Sequence, residues 1–163
     1  VVAPAYTQVK FAPYNDEVGT STNASDVPLM RIEEMYLILA EAQAMGSAGA
    51  STGAATLQSF VSTYRDPSYT FSGASATAVQ EEVWQQRRVE LYGEGQSYFD
   101  ILRLKKGIDR RGGGYDEAYV FVIPAGDPCQ IYPIPMSEIN ANPLISESDN
   151  IPTASQPKPV ADN

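Results

Sequence analysis

Three charged side chains share one face of a predicted helix near the middle of the chain. Arg87, Glu90 and Glu94 stand at positions i, i+3 and i+7 of a helical stretch, which places the two carboxyl groups on neighbouring turns, about 5–6 Å apart at Cβ. Retaining glycosidases use two carboxyl groups about 5–5.5 Å apart, but on opposite sides of the sugar. Here both groups lie on one side of any substrate, and nearby arginines keep both ionised. The pattern favours an ion-pair network over catalysis.

Other charged residues of the first and third predicted helices extend this network. Arginine suits the role because its planar guanidinium group can bridge two carboxylates or bind backbone carbonyls at a helix break. We therefore expect ion pairs and hydrogen bonds to join the two helices. The predicted members are Arg31, Glu34, Glu41, Arg87, Glu90, Glu94, Asp100 and Arg103.

Aromatic residues provide a second kind of candidate site. A sugar ring has an apolar face that stacks on a flat side chain, while its hydroxyl groups need polar partners beside it. Aromatic residues at apolar spacing within predicted helices are expected in the core: Tyr36, Trp84, Tyr92, Tyr98 and Phe99. Tyrosines in predicted loops are freer to meet a ligand, although they can equally be packed. These candidate ligand-binding residues are Tyr6, Tyr14, Tyr69 and Tyr115.

The composition argues against several classes of function. The chain has 11 Lys and Arg against 20 Asp and Glu, a net charge of −9, which disfavours nucleic acid and anionic lipid surfaces as partners. It has one Cys and no His, so we expect no catalytic triad, no intrachain disulfide and no metal site of the common zinc or copper kinds. No apolar run approaches the ~20 residues of a spanning helix, so we expect no direct membrane insertion by this segment.

Hydrophobic periodicity predicts two helices that form a hairpin resembling one tetratricopeptide unit. The first covers residues 29–45, with Ser25 or Asp26 as its cap. It is apolar nearly all round, so it should pack on more than one side. The second begins at Ser51 or Thr52 and carries one apolar stripe, made of Leu57, Phe60, Val61 and Tyr64.

The third predicted helix is long and broken. Ser75 or Thr77 caps it, and it runs to Tyr92. Gly93 and Gly95 then favour a break, since a helix-interior glycine costs about 1 kcal/mol relative to alanine. Helix resumes over residues 96–104.

The remaining sequence predicts less regular structure. The stretches YVFVIP and QIYPIP read as two short strands around the turn PAGDPC, which would form a small β-hairpin. We expect residues 1–28 to be an irregular lead-in, residues 29–145 to form the folded domain and residues 146–163 to be an irregular tail. The expected fold class is mainly α (α+β).

Three stretches of the chain carry a shared pattern of charged, aromatic and proline residues: RIEEMYLILAEA, QRRVELYGEGQSYFDILR and IYPIPMSEINANP. In this order they resemble the C-terminal region of the SusD/RagB family, the surface nutrient-binding lipoproteins of Bacteroidota outer membranes. In the central stretch the matching residues are Arg87, Glu90, Leu91, Glu94, Gly95, Asp100 and Arg103. It departs from the family pattern at Gln86, Ser97 and Ile101, where the family has mostly Glu, Arg and Leu.

The resemblance implies an α-superhelical fold and a non-enzymatic role that needs no cofactor. Such proteins capture glycans at the outer membrane and act as a lid over a SusC-like TonB-dependent transporter. It also implies that this is the C-terminal part of a longer protein, lipid-anchored through upstream sequence, and that much of the sugar-contacting surface lies upstream. Two alternatives stay open: a helical-repeat module that binds protein, and a RagB-like homologue that captures peptide.

Overall fold

The computed structural model of this chain describes residues 10–11, 29–152 and 156–162. The helix caps predicted at Ser25 and Asp26 lie outside these ranges, as do Tyr6 and Tyr14. Within them the protein is mainly helical with one small antiparallel sheet, which confirms the expected fold class.

Three helices form the main layer of the fold. Helix α1 spans Ile32–Met45, α2 spans Ala50–Tyr64 and α3 spans Ala76–Glu90. Helix α1 packs against both others, and its first residue is Ile32 rather than residue 29. The predicted cap of α3 is correct at Ser75, whose Oγ accepts a hydrogen bond from the backbone N–H of Ala78 at 3.1 Å.

The core lies where the apolar stripes of these three helices meet. Its residues are Leu37, Ala40, Ala44, Ala54, Leu57, Phe60, Val61, Val79 and Val83. Three of the four stripe residues predicted for α2 are buried, but Tyr64, in its last turn, is exposed. Small residues let α1 and α2 approach closely. A Cβ atom added at Gly53 would lie 2.4 Å from the carbonyl oxygen of Ala40.

Helix α1 is only partly covered by its neighbours. It contacts α2 and α3 with its small residues and Leu37. Large apolar side chains on the rest of its surface remain exposed, namely Ile32, Met35, Ile38, Leu39 and Met45. The structure therefore presents an apolar face on α1 that the described residues do not cover.

The predicted break after α3 is a tight turn. Helix α3 ends at Glu90, two residues earlier than predicted, and the seven-residue helix α4 begins at Ser97. Gly93 and Gly95 have φ values of +76° and +79°, the left-handed region that favours glycine. These conformations reverse the chain and turn Glu94 back towards α1.

The small sheet contains part of the first predicted strand, YVFVIP, but its partner is a segment that was not predicted. Strand β1, Ile108–Asp109, pairs antiparallel with β2, Val122–Ile123. The predicted second strand, QIYPIP, is not a strand, and two features of its sequence explain why. Asp127 caps a 3-10 turn over Pro128–Gln130, and the two following prolines lack the N–H group that a ladder needs.

A side chain takes the place of the missing strand partner. Asn150 accepts a hydrogen bond from the N–H of Ile134 at 2.9 Å and donates one to its carbonyl at 3.0 Å. Helix α5, Met136–Ala141, follows, and a further 3-10 turn covers Glu147–Asp149. Near the end of the chain, the N–H of Val160 donates to the carbonyl of Val120 at 2.9 Å.

Candidate functional site

The most buried charged pair in the described chain joins α3 to α4. Nε of Arg87 donates to Oδ2 of Asp100 at 2.7 Å, and the two side chains are only 6% and 3% exposed. The same guanidinium group donates to Glu34 of α1 at 3.1 Å. One arginine therefore fixes three helices relative to one another.

A second arginine completes the coordination of Asp100. Nε of Arg103 donates to the other carboxylate oxygen of Asp100 at 2.8 Å. Its Nη1 and Nη2 atoms bind both oxygens of Glu41 at 2.6 and 2.8 Å, the bidentate geometry that suits arginine and carboxylate. Burial acts to raise the pKa of Glu41, but hydrogen bonds from Arg103 and Gln80 outweigh it, so the pKa lies below its usual value.

Arg31 is the centre of a second part of the network, where α3 ends at Glu90. Its Nη1 donates to Glu90 and its Nη2 to Glu94, each at 2.8 Å. Its Nη2 also donates to the backbone carbonyl of Glu90 at 2.7 Å, one of the carbonyls that a helix end leaves without an intrahelical partner. Lys10 donates to the same carbonyl at 2.8 Å and also binds Glu94. Arg31 thereby closes both the end of α3 and the turn after it.

All eight residues predicted for the network take part in these contacts. The sequence reasoning missed Arg65, which binds both oxygens of Glu90 at 2.6 and 2.9 Å and reaches Glu33 at 3.2 Å. Its position immediately after α2 was the available signal, because a cation at a helix C-terminus is stabilised there. Lys10 was also missed, since it lies far from α3 in sequence.

These pairings decide what Glu90 and Glu94 can do chemically. Hydrogen bonds from Arg65 and then Arg31 outweigh burial and lower the pKa of Glu90 to about 2. Burial acts to raise the pKa of Glu94, but Arg31 and Lys10 outweigh it, so that pKa is lowered too. Both groups are ionised at neutral pH, and neither can supply the proton that a glycosidase acid must donate.

The two described loop tyrosines occupy different environments. Tyr69 is half-buried against the helical core, and its hydroxyl donates to Glu82 at 2.8 Å. Burial, followed by this hydrogen bond, raises its pKa. Tyr115 is exposed in the loop between β1 and β2, with the guanidinium carbon of Arg110 3.8 Å from its ring centroid. The described contacts do not join Tyr69 and Tyr115 into one site.

The core prediction for the helical aromatic residues is partly wrong. Tyr92 and Phe99 are exposed, because α3 ends before the first and α4 is too short to bury more than one side. Tyr36 is also exposed, although it stacks on Phe60 with a centroid separation of 5.4 Å. Trp84 and Tyr98 are half-buried.

A cluster of three aromatic rings that was not predicted joins α4 to the segment around Tyr132. The ring of Tyr98 meets Phe99 and Tyr132 edge-on, with both centroid separations 5.8 Å. The Tyr98 hydroxyl donates to the carbonyl of Gln130 at 2.7 Å, which anchors the central ring. Tyr132 was hidden within a predicted strand, although the neighbouring prolines were a signal against that interpretation.

Comparison with models of known protein families identifies the family of this chain. A sequence model of the SusD family matches residues 4–150. The chain belongs to the SusD family. The match includes α1, the ion-pair network and the Tyr132 segment. No curated protein and no solved structure matches the chain.

SusD membership establishes a general type of protein. The family consists of surface proteins that bind carbohydrates or other nutrients, and its members are generally binding proteins rather than enzymes. They are typically outer-membrane lipoproteins associated with SusC-like transporters. Within the described ranges, no helix combines the length and apolar character needed to cross a membrane.

Proposed function

We propose that this SusD-family chain is part of a protein that captures oligosaccharides or polysaccharides at the cell surface for uptake through a SusC-like TonB-dependent transporter. The observation that carries the proposal is the family match over residues 4–150. Capture is non-covalent, and no cofactor takes part. We further propose that the protein is held at the outer membrane by a lipid anchor.

The geometry supports binding without chemistry. The paired glutamates of α3 and the following turn are held ionised by arginines and lysine. Flat side chains suitable for stacking on sugars are exposed elsewhere on the surface. Among them are Tyr92, Phe99, Tyr115 and Tyr132.

Calorimetric titration tests this proposal. The chain is titrated with neutral and acidic oligosaccharides and, in parallel, with peptides of similar length. We expect saturable binding to at least one oligosaccharide and weaker or no binding to peptides. Binding to peptides alone would contradict glycan capture and favour the peptide-capturing alternative.

The exposed apolar face of α1 favours a second candidate function, a helical-repeat module that binds a protein. Ile38 and Leu39 each expose nearly half of their surface on this face. If protein binding is the main role, replacing both with glutamate should abolish association with the transporter, and the unmodified chain should bind no oligosaccharide. Unchanged transporter association in the double variant would reject this candidate.

A further inference from the structure

Tyr132 is the most exposed tyrosine among the described residues, with 84% of its surface accessible. It lies on the rim of a cleft of about 430 Å³, within the range of roughly 300–1,000 Å³ usual for small-ligand sites. Two segments line the cleft: the one around Pro128–Pro133, and Asn150–Pro152 together with Gln156 and Pro157.

The Tyr132 ring, the flat surface on which a ligand could stack, is held in place before any ligand arrives. Tyr98 supports the Tyr132 ring edge-on, at an interplanar angle of 65°, and is itself anchored on the Gln130 carbonyl. Gln130 is buried, and its side chain donates to the carbonyl of Lys106 at 3.1 Å and accepts from the N–H of Gly126 at 3.1 Å. A pre-positioned ring loses little conformational entropy when a ligand stacks on it.

The second lining segment provides polar groups, of which Asn150 is held in a fixed position. The carboxamide of Asn150 is oriented by its two hydrogen bonds to Ile134 and a third from the N–H of Ile151 at 3.0 Å. An amide NH₂ has two donors, and only one of them is used in these bonds. Gln156 contributes a second carboxamide to the lining. Amides beside an aromatic face match the hydroxyl groups and the apolar face of a sugar.

The lining also indicates the charge of the ligand. The chain has 20 acidic and 11 basic residues, yet none of the described lining residues is charged. A carboxylate or sulfate placed here would lose water without gaining a charged partner, which is unfavourable. The cleft therefore suits a neutral ligand.

We propose that Tyr132 and this cleft form a binding subsite for a neutral pyranose unit of a glycan. This inference rests on the proposed function and deepens it by naming the surface and the substrate class. The apolar face of the sugar stacks on Tyr132, while its hydroxyl groups bind the carboxamides of Asn150 and Gln156.

Titration of matched tyrosine variants tests the subsite. The probes are maltohexaose, cellohexaose and mannohexaose as neutral ligands and hexagalacturonic acid as the acidic one. We expect Tyr132→Ala to weaken binding of the neutral ligand about tenfold, and Tyr119→Ala to leave it unchanged, because Tyr119 is also exposed but lies outside the cleft. In the unmodified chain, the amide NMR signals of Ile131 and Ile151 should shift on adding that ligand.

The possible failures are distinguishable. Equal affinity of the Tyr132→Ala variant and the unmodified chain would overturn the subsite while leaving glycan capture intact. Tighter binding of hexagalacturonic acid than of every neutral ligand would overturn the proposed ligand class. Absence of binding to all four probes would overturn both the subsite and the proposed function. Thermal melts of both variants, expected to match the unmodified chain, show that folding is preserved.

Discussion

Replacing Arg87 with alanine should destabilise the protein far more than replacing an exposed arginine. The change leaves Asp100, whose side chain is 3% exposed, with Arg103 as its remaining arginine partner, and removes the bond to Glu34. Removing one partner of a buried pair costs about 3–5 kcal/mol. Because Arg103 still neutralises Asp100, we expect about 3 kcal/mol. At about 2–4 °C per kcal/mol for a chain of this size, the melting temperature should fall by about 6–12 °C.

The assay is thermal unfolding of the whole 163-residue chain, monitored by far-UV circular dichroism. Arg88→Ala is the matched control, because it removes the same side-chain type from the next position of the same helix. Arg88 is exposed, and its guanidinium carbon lies 5.2 Å from the ring centroid of Trp84, a contact worth about 0.5–1 kcal/mol. The control should therefore lose no more than about 4 °C.

Equal melting temperatures of the two variants would refute the reasoning. A double-mutant cycle gives a second criterion. In the Arg87→Ala background, Asp100→Ala should cost much less than it does alone, because the buried carboxylate has already lost its main partner. Additive effects would show that Arg87 and Asp100 are not energetically coupled.

Three further substitutions test the stability at acid pH, the contact between α1 and α2, and the C-terminal end of α4. The folded pKa of Glu90 is about 2 against 4.5 for the free group, so its stabilisation is complete above about pH 4.5 and is lost as the pH falls towards 2. Glu90→Gln should remove about 1–3 kcal/mol of this pH dependence, after allowance for solvent screening. Gly53→Ala should destabilise the fold by about 1–3 kcal/mol, because the new Cβ would overlap a backbone oxygen of α1. Lys105→Gly should stabilise it by about 0.5–1 kcal/mol, since Lys105 has φ +51° just after α4.

Urea titrations measure the free energy of unfolding for each of these variants and for a control. For Glu90→Gln, the same slope of stability against pH below 4.5 as in the unmodified chain would contradict the assignment. For Gly53→Ala the control is Ser51→Ala, at an exposed position of α2, which should leave the free energy of unfolding nearly unchanged. Equal stabilities of the two variants would refute the prediction for Gly53. Lys105→Ala keeps the strained backbone and should give no gain, so equal gains from alanine and glycine would reject the conformational explanation.

The helical part of the fold was predictable because its signals are local. The spacing of Leu57, Phe60 and Val61 defined the buried side of α2, and Gly93 and Gly95 marked the break after α3. The ion-pair partners were also accessible to sequence reasoning, since arginines and glutamates on neighbouring helices have opposite charges and one guanidinium group can bridge two carboxylates.

Strand pairing and exposure depend on information that is not local. The sequence around Ile134 has β-like character, but its hydrogen-bond partner is the side chain of Asn150, 16 residues away. Periodicity likewise marks Phe99 as apolar without showing whether another element covers it. Because α4 is short, no other element of the described chain covers Phe99. The aromatic cluster of Tyr98, Phe99 and Tyr132 also depends on contacts between distant segments, so spacing along the chain does not reveal it.

The central claim is capture of a glycan without chemistry. Its most direct test is to incubate the chain at neutral pH with the tightest-binding oligosaccharide of the titration panel, isolate the complex and analyse the released sugar by mass spectrometry. We predict a stable complex from which the oligosaccharide is recovered intact. Failure to form a complex, or recovery of shortened sugars with new reducing ends, would contradict this account.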